Sequence, residues 1–264
     1  MQIDLSGKKA IVTGSTNGIG LAIATGLARA GASLVLVGRE QSRIDAALAR
    51  LRADSGRDDA VGVVADAGTS EGCKALIAAQ PEADILVNNL GIYGVRPFFD
   101  IADDEWEQIF QVNVLSGVRL ARHYAKGMQA RGWGRIQFIS SESALNIPTE
   151  MVHYGVSKAA LQGLSRGLAK VLAGSGVTVN SILPGPTRTS GALAMIGSMA
   201  KERGVSVSEM EALFLQENRP STLLRRFATP EEVANLCVYA ASPQASATTG
   251  AALRVEGGIV ESIA

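Results

Sequence analysis

A short apolar run, Ala10-Ile11-Val12, leads without a break into Thr13-Gly14-Ser15-Thr16-Asn17-Gly18-Ile19-Gly20 and then into an apolar helix-forming stretch, Ile19 to Ala30. Glycines there let the backbone turn sharply and approach a bound group closely. The helix that follows presents free N–H groups and its positive end to an anion. A chain that begins this way is directed toward strand–turn–helix packing, with an anion site, most simply for a pyrophosphate, at the carboxyl end of its first strand.

The same alternation continues. Further strands are expected at Leu34 to Val37, Val61 to Val64, Ile85 to Val87, Ile136 to Ile139, Val177 to Leu183 and Ala252 to Val255. Helices are expected at Gln41 to Ala53, Ser70 to Ala79, Asp103 to Ala130, Thr149 to Ala173 and Pro230 to Ala241. The strands lack polar alternation, as strands covered on both faces do. The expected fold is therefore α/β, a doubly wound parallel sheet of about seven strands with helices on both faces. Residues 1–264 read as one domain, and only Ser190 to Phe227 breaks the rhythm. That segment, 190–227, is long for a loop and carries Met195, Met199, Met210, Leu213, Phe214 and Leu215, so it reads as a helical substrate flap.

With 25 Lys+Arg against 25 Asp+Glu the chain is formally neutral, and no long charge run interrupts it. This argues against nucleic acid or an anionic membrane surface as partner and leaves a small molecule. Cys73 and Cys237 lie far apart, and His123 and His153 lack ligand spacing, so no metal is expected. Between Ala10 and Ala28 no charge occurs, but the polar turn interrupts any signal or spanning segment, and the chain reads as cytoplasmic.

The glycine spacing is G-x-x-x-G-x-G, and the chain also contains Asn88-Asn89-Leu90-Gly91, Asn113, Ser141, Tyr154-x-x-x-Lys158, Pro184-Gly185 and Val255-Glu256-Gly257-Gly258. In these motifs, spread over essentially its whole length, it resembles the short-chain dehydrogenase/reductase family and, within it, 3-oxoacyl-carrier-protein reductases. The resemblance implies a Rossmann-like domain and hydride transfer between a nicotinamide dinucleotide and a carbonyl or secondary alcohol. Gly14, Ser15, Thr16, Asn17, Gly18, Ile19 and Gly20 would cradle the pyrophosphate. Asp66 would meet the adenine, Asn89 and Gly91 the ribose side, and Pro184, Gly185, Thr187 and Thr189 the nicotinamide end. Leu90 stands where the family usually has alanine.

Roughly 20 residues after the turn, where a carboxylate would hold the ribose hydroxyls of NAD, this chain has Gly38-Arg39-Glu40. A guanidinium at Arg39 suits the 2′-phosphate of NADP(H), which is favoured. NAD(H) stays possible if Glu40 turns in to hold the ribose.

Tyr154 and Lys158, four apart, share one helical face. A phenol with a pKa of roughly 10 is a poor base at neutral pH, and a nearby ammonium favours its ionised form. Ser141 follows a predicted strand at the carboxyl end, where its hydroxyl can hold a substrate oxygen. The resemblance makes Ser141, Tyr154 and Lys158 catalytic, with Lys158 also on the cofactor ribose, and assigns Asn113 to a water-mediated proton relay. Ile92, Tyr93, Leu145, Ile147 and Met151 flank these motifs and suggest an apolar or mixed substrate rather than a polyol or a heavily charged acid. Arg96, Arg225 and Arg226 are the arginines weighed for an anionic group and read as surface side chains. Gly155, Ala159, Gly163 and Gly167 form a small-residue stripe suited to close helix approach. The resemblance implies a homotetramer or dimer. An NAD-dependent alcohol dehydrogenase and a dinucleotide-sensing protein without catalysis are the competing readings.

Overall fold

The structure, a computed structural model, describes residues 2–263, so Met1 and Ala264 of the expected 1–264 domain lie outside the described residues. Its strands are β1 (Lys9–Val12), β2 (Ser33–Gly38), β3 (Val61–Val64), β4 (Ile85–Asn88), β5 (Gly134–Ile139), β6 (Val177–Pro184) and β7 (Ala252–Val255). They form a single parallel sheet in the order β3-β2-β1-β4-β5-β6-β7. Strand order reverses between β1 and β4, which opens a crevice at their carboxyl ends, the place where ligands settle in such sheets.

Side-chain alternation explains the unbroken apolar strands. Ala10 and Val12 of β1 face a core shared with α1 (Gly18–Arg29), α2 (Gln41–Ser55) and α9 (Pro230–Ala241). Ile11 faces the opposite core, with α3 (Ser70–Ala79), α5 (Ser116–Ala130) and α6 (Val152–Val171). Each inner strand thus feeds two cores, and the polar side chains that β5 and β6 do carry are buried with backbone partners: Gln137 and Asn180 each donate to a backbone carbonyl at 2.8 Å. The edge strands depart from this expectation: in β3, Val61 and Val64 are exposed, and β7 is exposed or half-buried throughout, because each has a neighbour on one side only.

The long helix expected from Asp103 to Ala130 is interrupted. It runs as α4 (Asp103–Phe110), a π-helical turn (Gln111–Leu115) and α5, with Asn113 inside the widened turn. An asparagine disfavoured in a regular helix interior thereby acquires a place where its amide can bond outward. The helix expected from Thr149 begins with a 3-10 turn, Thr149–Met151, and continues as α6. Segment 190–227 is largely helical: α7 (Ser190–Arg203) and α8 (Val207–Asn218) pack around Ile196, Ala200, Met210, Leu215 and Phe227, a small core of their own. No helix among the described residues is long and apolar enough to cross a membrane.

Candidate active site

The turn after β1 is tied to both neighbouring strands, β4 and β2, by the Asn89 side chain and by its own Thr13 and Ser15 hydroxyls. Gly14 adopts φ +61°, in the left-handed region that glycine enters without strain. Asn89, just past β4, donates from Nδ2 to the carbonyls of Thr13 (2.9 Å) and Gly14 (3.1 Å), while Thr13 Oγ1 accepts from the amides of Asn89 and Leu90, each at 3.0 Å. A Cβ on Gly20 would collide with both the Gly14 carbonyl and the Asn89 amide. The helix can therefore begin this close to the strand only with glycine at that position. Ser15 turns inward: its hydroxyl donates to Val12 O (2.7 Å) and accepts from Val37 N (3.0 Å), and it lines neither of the cavities described below.

A cavity of about 380 Å³ runs over this turn. Gly14, Thr16, Asn17, Gly18, Ile19, Gly20, Arg39, Asp66, Asn89, Leu90, Gly91 and Thr189 all lie along it, together with Glu40 and Arg43. Glu40 pairs with Arg43 at 3.0 Å, one turn along α2, while among the described residues no carboxylate pairs with Arg39. The end of the groove beyond β2 therefore offers an uncommitted guanidinium. The cradle, its close-approach glycines and this cation fit a dinucleotide bearing a phosphate on its adenosine ribose.

A second cavity, of about 280 Å³, adjoins the first and shares Ile19, Asn89, Gly91, Tyr93 and Thr189 with it. Ser141, Tyr154 and Lys158 all line it, as do Pro184, Gly185 and Thr187. Ser141 begins a 3-10 turn (Glu142–Ala144) after β5, and its Oγ accepts the Ser143 amide at 3.1 Å. That leaves its own hydrogen to donate. The Ser141 hydroxyl lies close enough to that of Tyr154 to favour its ionised form. Lys158 Nζ donates to Ile139 O at 2.9 Å and lies 5.6 Å from the Tyr154 ring centre.

Asn113 sits behind this group. Its Oδ1 accepts from Ile92 N (2.7 Å), and its Nδ2 donates to Ile92 O (2.9 Å) and Ser157 Oγ (3.0 Å). It thereby ties α6 to the loop after β4, where the two cavities meet. A Cβ on Gly91 would stand 3.1 Å from the Lys158 ammonium.

The electrostatics differ from the simple expectation that Lys158 draws the phenol down. Burial pushes the Tyr154 hydroxyl up to about 12; the Ser141 hydrogen bond opposes the rise and the nearby Glu142 charge adds to it. Burial also brings the Lys158 ammonium down to about 8. Desolvation exceeds pairing here because both groups sit in one low-dielectric wall and the ammonium is bonded to a carbonyl rather than to the phenol.

Of the apolar residues expected to flank the substrate, Tyr93 and Met151 line the second cavity, whereas Ile92, Leu145 and Ile147 do not and are exposed elsewhere. The helical segment contributes Ala192, Met195, Phe214, Arg219 and Phe227. Glu142 and Arg219 were not singled out from the sequence. Their Nε–Oε1 contact, 3.2 Å, joins residues 77 apart, a separation at which periodicity carries no signal. Arg96 and Arg226 instead pair with Glu105 and Glu232 at the surface.

The family profile described as "Enoyl-(Acyl carrier protein) reductase" matches residues 14–260. An uncharacterized oxidoreductase of Bacillus subtilis, YvaG, is 44% identical over 263 residues, covering 100% of both chains. The 3-oxoacyl-[acyl-carrier-protein] reductase FabG of Aquifex aeolicus is 31% identical over 262 residues, covering 98% of this chain and 100% of that one. The crystal structure of L-sorbose reductase from Gluconobacter frateurii, complexed with NADPH and L-sorbose, superposes with a TM-score of 0.93 at 35% identity and 100% coverage of both chains.

Proposed function

The chain belongs to the short-chain dehydrogenase/reductase family of oxidoreductases, and from that premise we propose that it is an NADP(H)-dependent ketoreductase, interconverting a carbonyl compound and a secondary alcohol. One observation carries this reading: the Ser141, Tyr154 and Lys158 side chains line a cavity that opens directly into the groove over the glycine turn.

NADP(H), when bound, supplies or accepts the hydride. Gly14, Thr16, Asn17, Gly18, Ile19 and Gly20 would hold its pyrophosphate, Arg39 its 2′-phosphate, and Asp66 its adenine. Asn89 and Gly91 would line the ribose, with Pro184, Gly185, Thr187 and Thr189 at the nicotinamide end. The bound NADPH of the sorbose reductase supports the same choice of cofactor here.

In the direction of reduction, Tyr154 gives its phenol proton to the carbonyl oxygen as negative charge builds there. A hydroxyl kept protonated by burial is suited to that role at neutral pH. Ser141 donates to the same oxygen and fixes its direction. Lys158, held by Ile139 O, keeps a positive charge beside the phenol and reaches the ribose. Asn113 steadies Ser157 and the Gly91-Ile92 backbone and, by family resemblance, leads into a proton relay through water. Alcohol oxidation runs these steps in reverse.

Residues 190–227 serve as the substrate flap, since Met195, Phe214 and Phe227 close one wall of the cavity. A homo-oligomer, tetramer or dimer, is supported by Gly163 and Gly167 of α6, which face open space within the chain. A cytoplasmic location is part of the same proposal.

The test is to follow NADPH and NADH oxidation with a panel of ketones and aldehydes, and the reverse reaction with alcohols. Turnover with NADPH preferred over NADH is expected. Cofactor binding without turnover of any substrate in either direction would instead support a dinucleotide-sensing protein.

A further inference from the structure

We propose that Glu142, held in place by Arg219, is a specificity-determining residue that accepts a hydrogen bond from a substrate hydroxyl, so that the enzyme's carbonyl substrates are neutral hydroxylated ketones or aldehydes. The inference rests on the ketoreductase reading of the same cavity and narrows its substrate class.

Glu142 directly follows Ser141, lines the catalytic cavity and is only 4% exposed. Its Oε1 is fully engaged: Arg219 Nε donates to it at 3.2 Å and Ser143 Oγ at 3.0 Å. Its Oε2 is buried and has no hydrogen-bond partner. A buried carboxylate oxygen without a donor is costly, and because Glu142 lines a substrate cavity the missing donor is most simply a group of the substrate. Both side chains lie close enough to the reacting centre for their charges to act on the Tyr154 hydroxyl.

Charge at the wall decides the kind of donor. The charged side chains lining the cavity are Glu142, Lys158 and Arg219, and Arg219 is shared with Glu150 at 3.5 Å. Two cations and two anions cancel. A substrate carboxylate placed against Oε2 would meet a like charge, and an ammonium would add a third cation to a cavity already lined by Arg219 and Lys158. A hydroxyl donates to the open oxygen and brings no charge of its own. Met151, Met195, Phe214 and Phe227 line the same cavity and suit a short carbon skeleton. The flanking sequence suggested an apolar or mixed substrate rather than a polyol, and the polar end narrows this to a hydroxylated one.

The experiment compares 1-hydroxybutan-2-one with butan-2-one, which differ by one hydroxyl, and adds a 2-ketohexose and acetoacetate, all reduced with NADPH by the wild type, Glu142→Gln and Glu142→Asp. A site built to bond a hydroxyl should favour the hydroxylated partner by about 10-fold or more in kcat/KM, with the gain mainly in KM. Glu142→Gln should remove most of that preference, read as the ratio of kcat/KM for the two ketones so that any shared effect on Tyr154 cancels, while Glu142→Asp restores part of it. Equal losses on both ketones, preference for butan-2-one, or preference for acetoacetate would overturn the inference and leave the ketoreductase reading standing. No reduction of any ketone by a wild type that binds NADPH would overturn both. If Glu142→Gln does not fold, the wild-type ratio between the two butanones and the Glu142→Asp variant decide.

Discussion

Lys158 reaches from α6 back to the end of β5, where its ammonium donates to the Ile139 carbonyl at 2.9 Å in a wall that burial keeps dry. The bond fixes the nitrogen beside Tyr154, but the charge is desolvated and the pKa drops from 10.5 to about 8. The position of the ammonium is here held at a cost in stability.

A pH-dependent stability difference follows from that cost. Between about 8 and 10.5 the unfolded chain binds a proton that native Lys158 does not, so wild-type stability rises with pH across this window, and the full penalty applies below it. Lys158→Met should be inactive yet more stable by roughly 1–3 kcal/mol at pH 7, after allowing for the lost hydrogen bond. Urea unfolding of both proteins at several pH values checks this. The gap should close toward pH 10.5, and Tyr154, present in both, cancels from the difference. A variant less stable at every pH would refute the argument.

Removing the phenol proton isolates the chemical step. Tyr154→Phe should lower kcat by about 10²–10⁴-fold while NADPH affinity, measured by fluorescence titration, changes little. Near-normal turnover would remove Tyr154 from the mechanism.

The choice of cofactor turns on Arg39, since Glu40 is already paired with Arg43. Arg39→Ser should weaken NADPH use by about 10- to 100-fold, the worth of a charge-assisted contact, and leave NADH use nearly unchanged. Parallel kcat/KM measurements with the two cofactors decide, and an equal effect on both would mean that Arg39 does not meet the 2′-phosphate.

Close approach at the glycine turn is testable through Gly20. Gly20→Ala pushes a methyl against Gly14 O and the Asn89 amide, so the turn must open. Stability should fall by roughly 1–3 kcal/mol, and NADPH affinity should fall with it. Calorimetry with and without cofactor reports both, and an unchanged affinity would argue against the cradle.

Much of the fold was legible because its signals are local. The strand–turn–helix unit, the short apolar strands and the spacing of Tyr154 and Lys158 on one helical face each lie within a few residues. The π-helical turn at Asn113 left no periodic trace, since the sequence on either side reads as one helix. Ile92, Leu145 and Ile147 looked like pocket residues by adjacency to motifs, but adjacency does not say which way a loop side chain faces.

Sequence alone determined the alternation, the glycine turn and the set of groups that share the catalytic helix, because each follows from backbone conformation over short spans. Tertiary structure decided what those groups face. It set Glu142 against Arg219 across 77 residues, left the buried Oε2 of Glu142 without a partner, and raised the pKa of Tyr154 while lowering that of Lys158. Contacts and burial of that kind depend on how distant elements pack, and no pattern along the chain encodes the dielectric that packing creates.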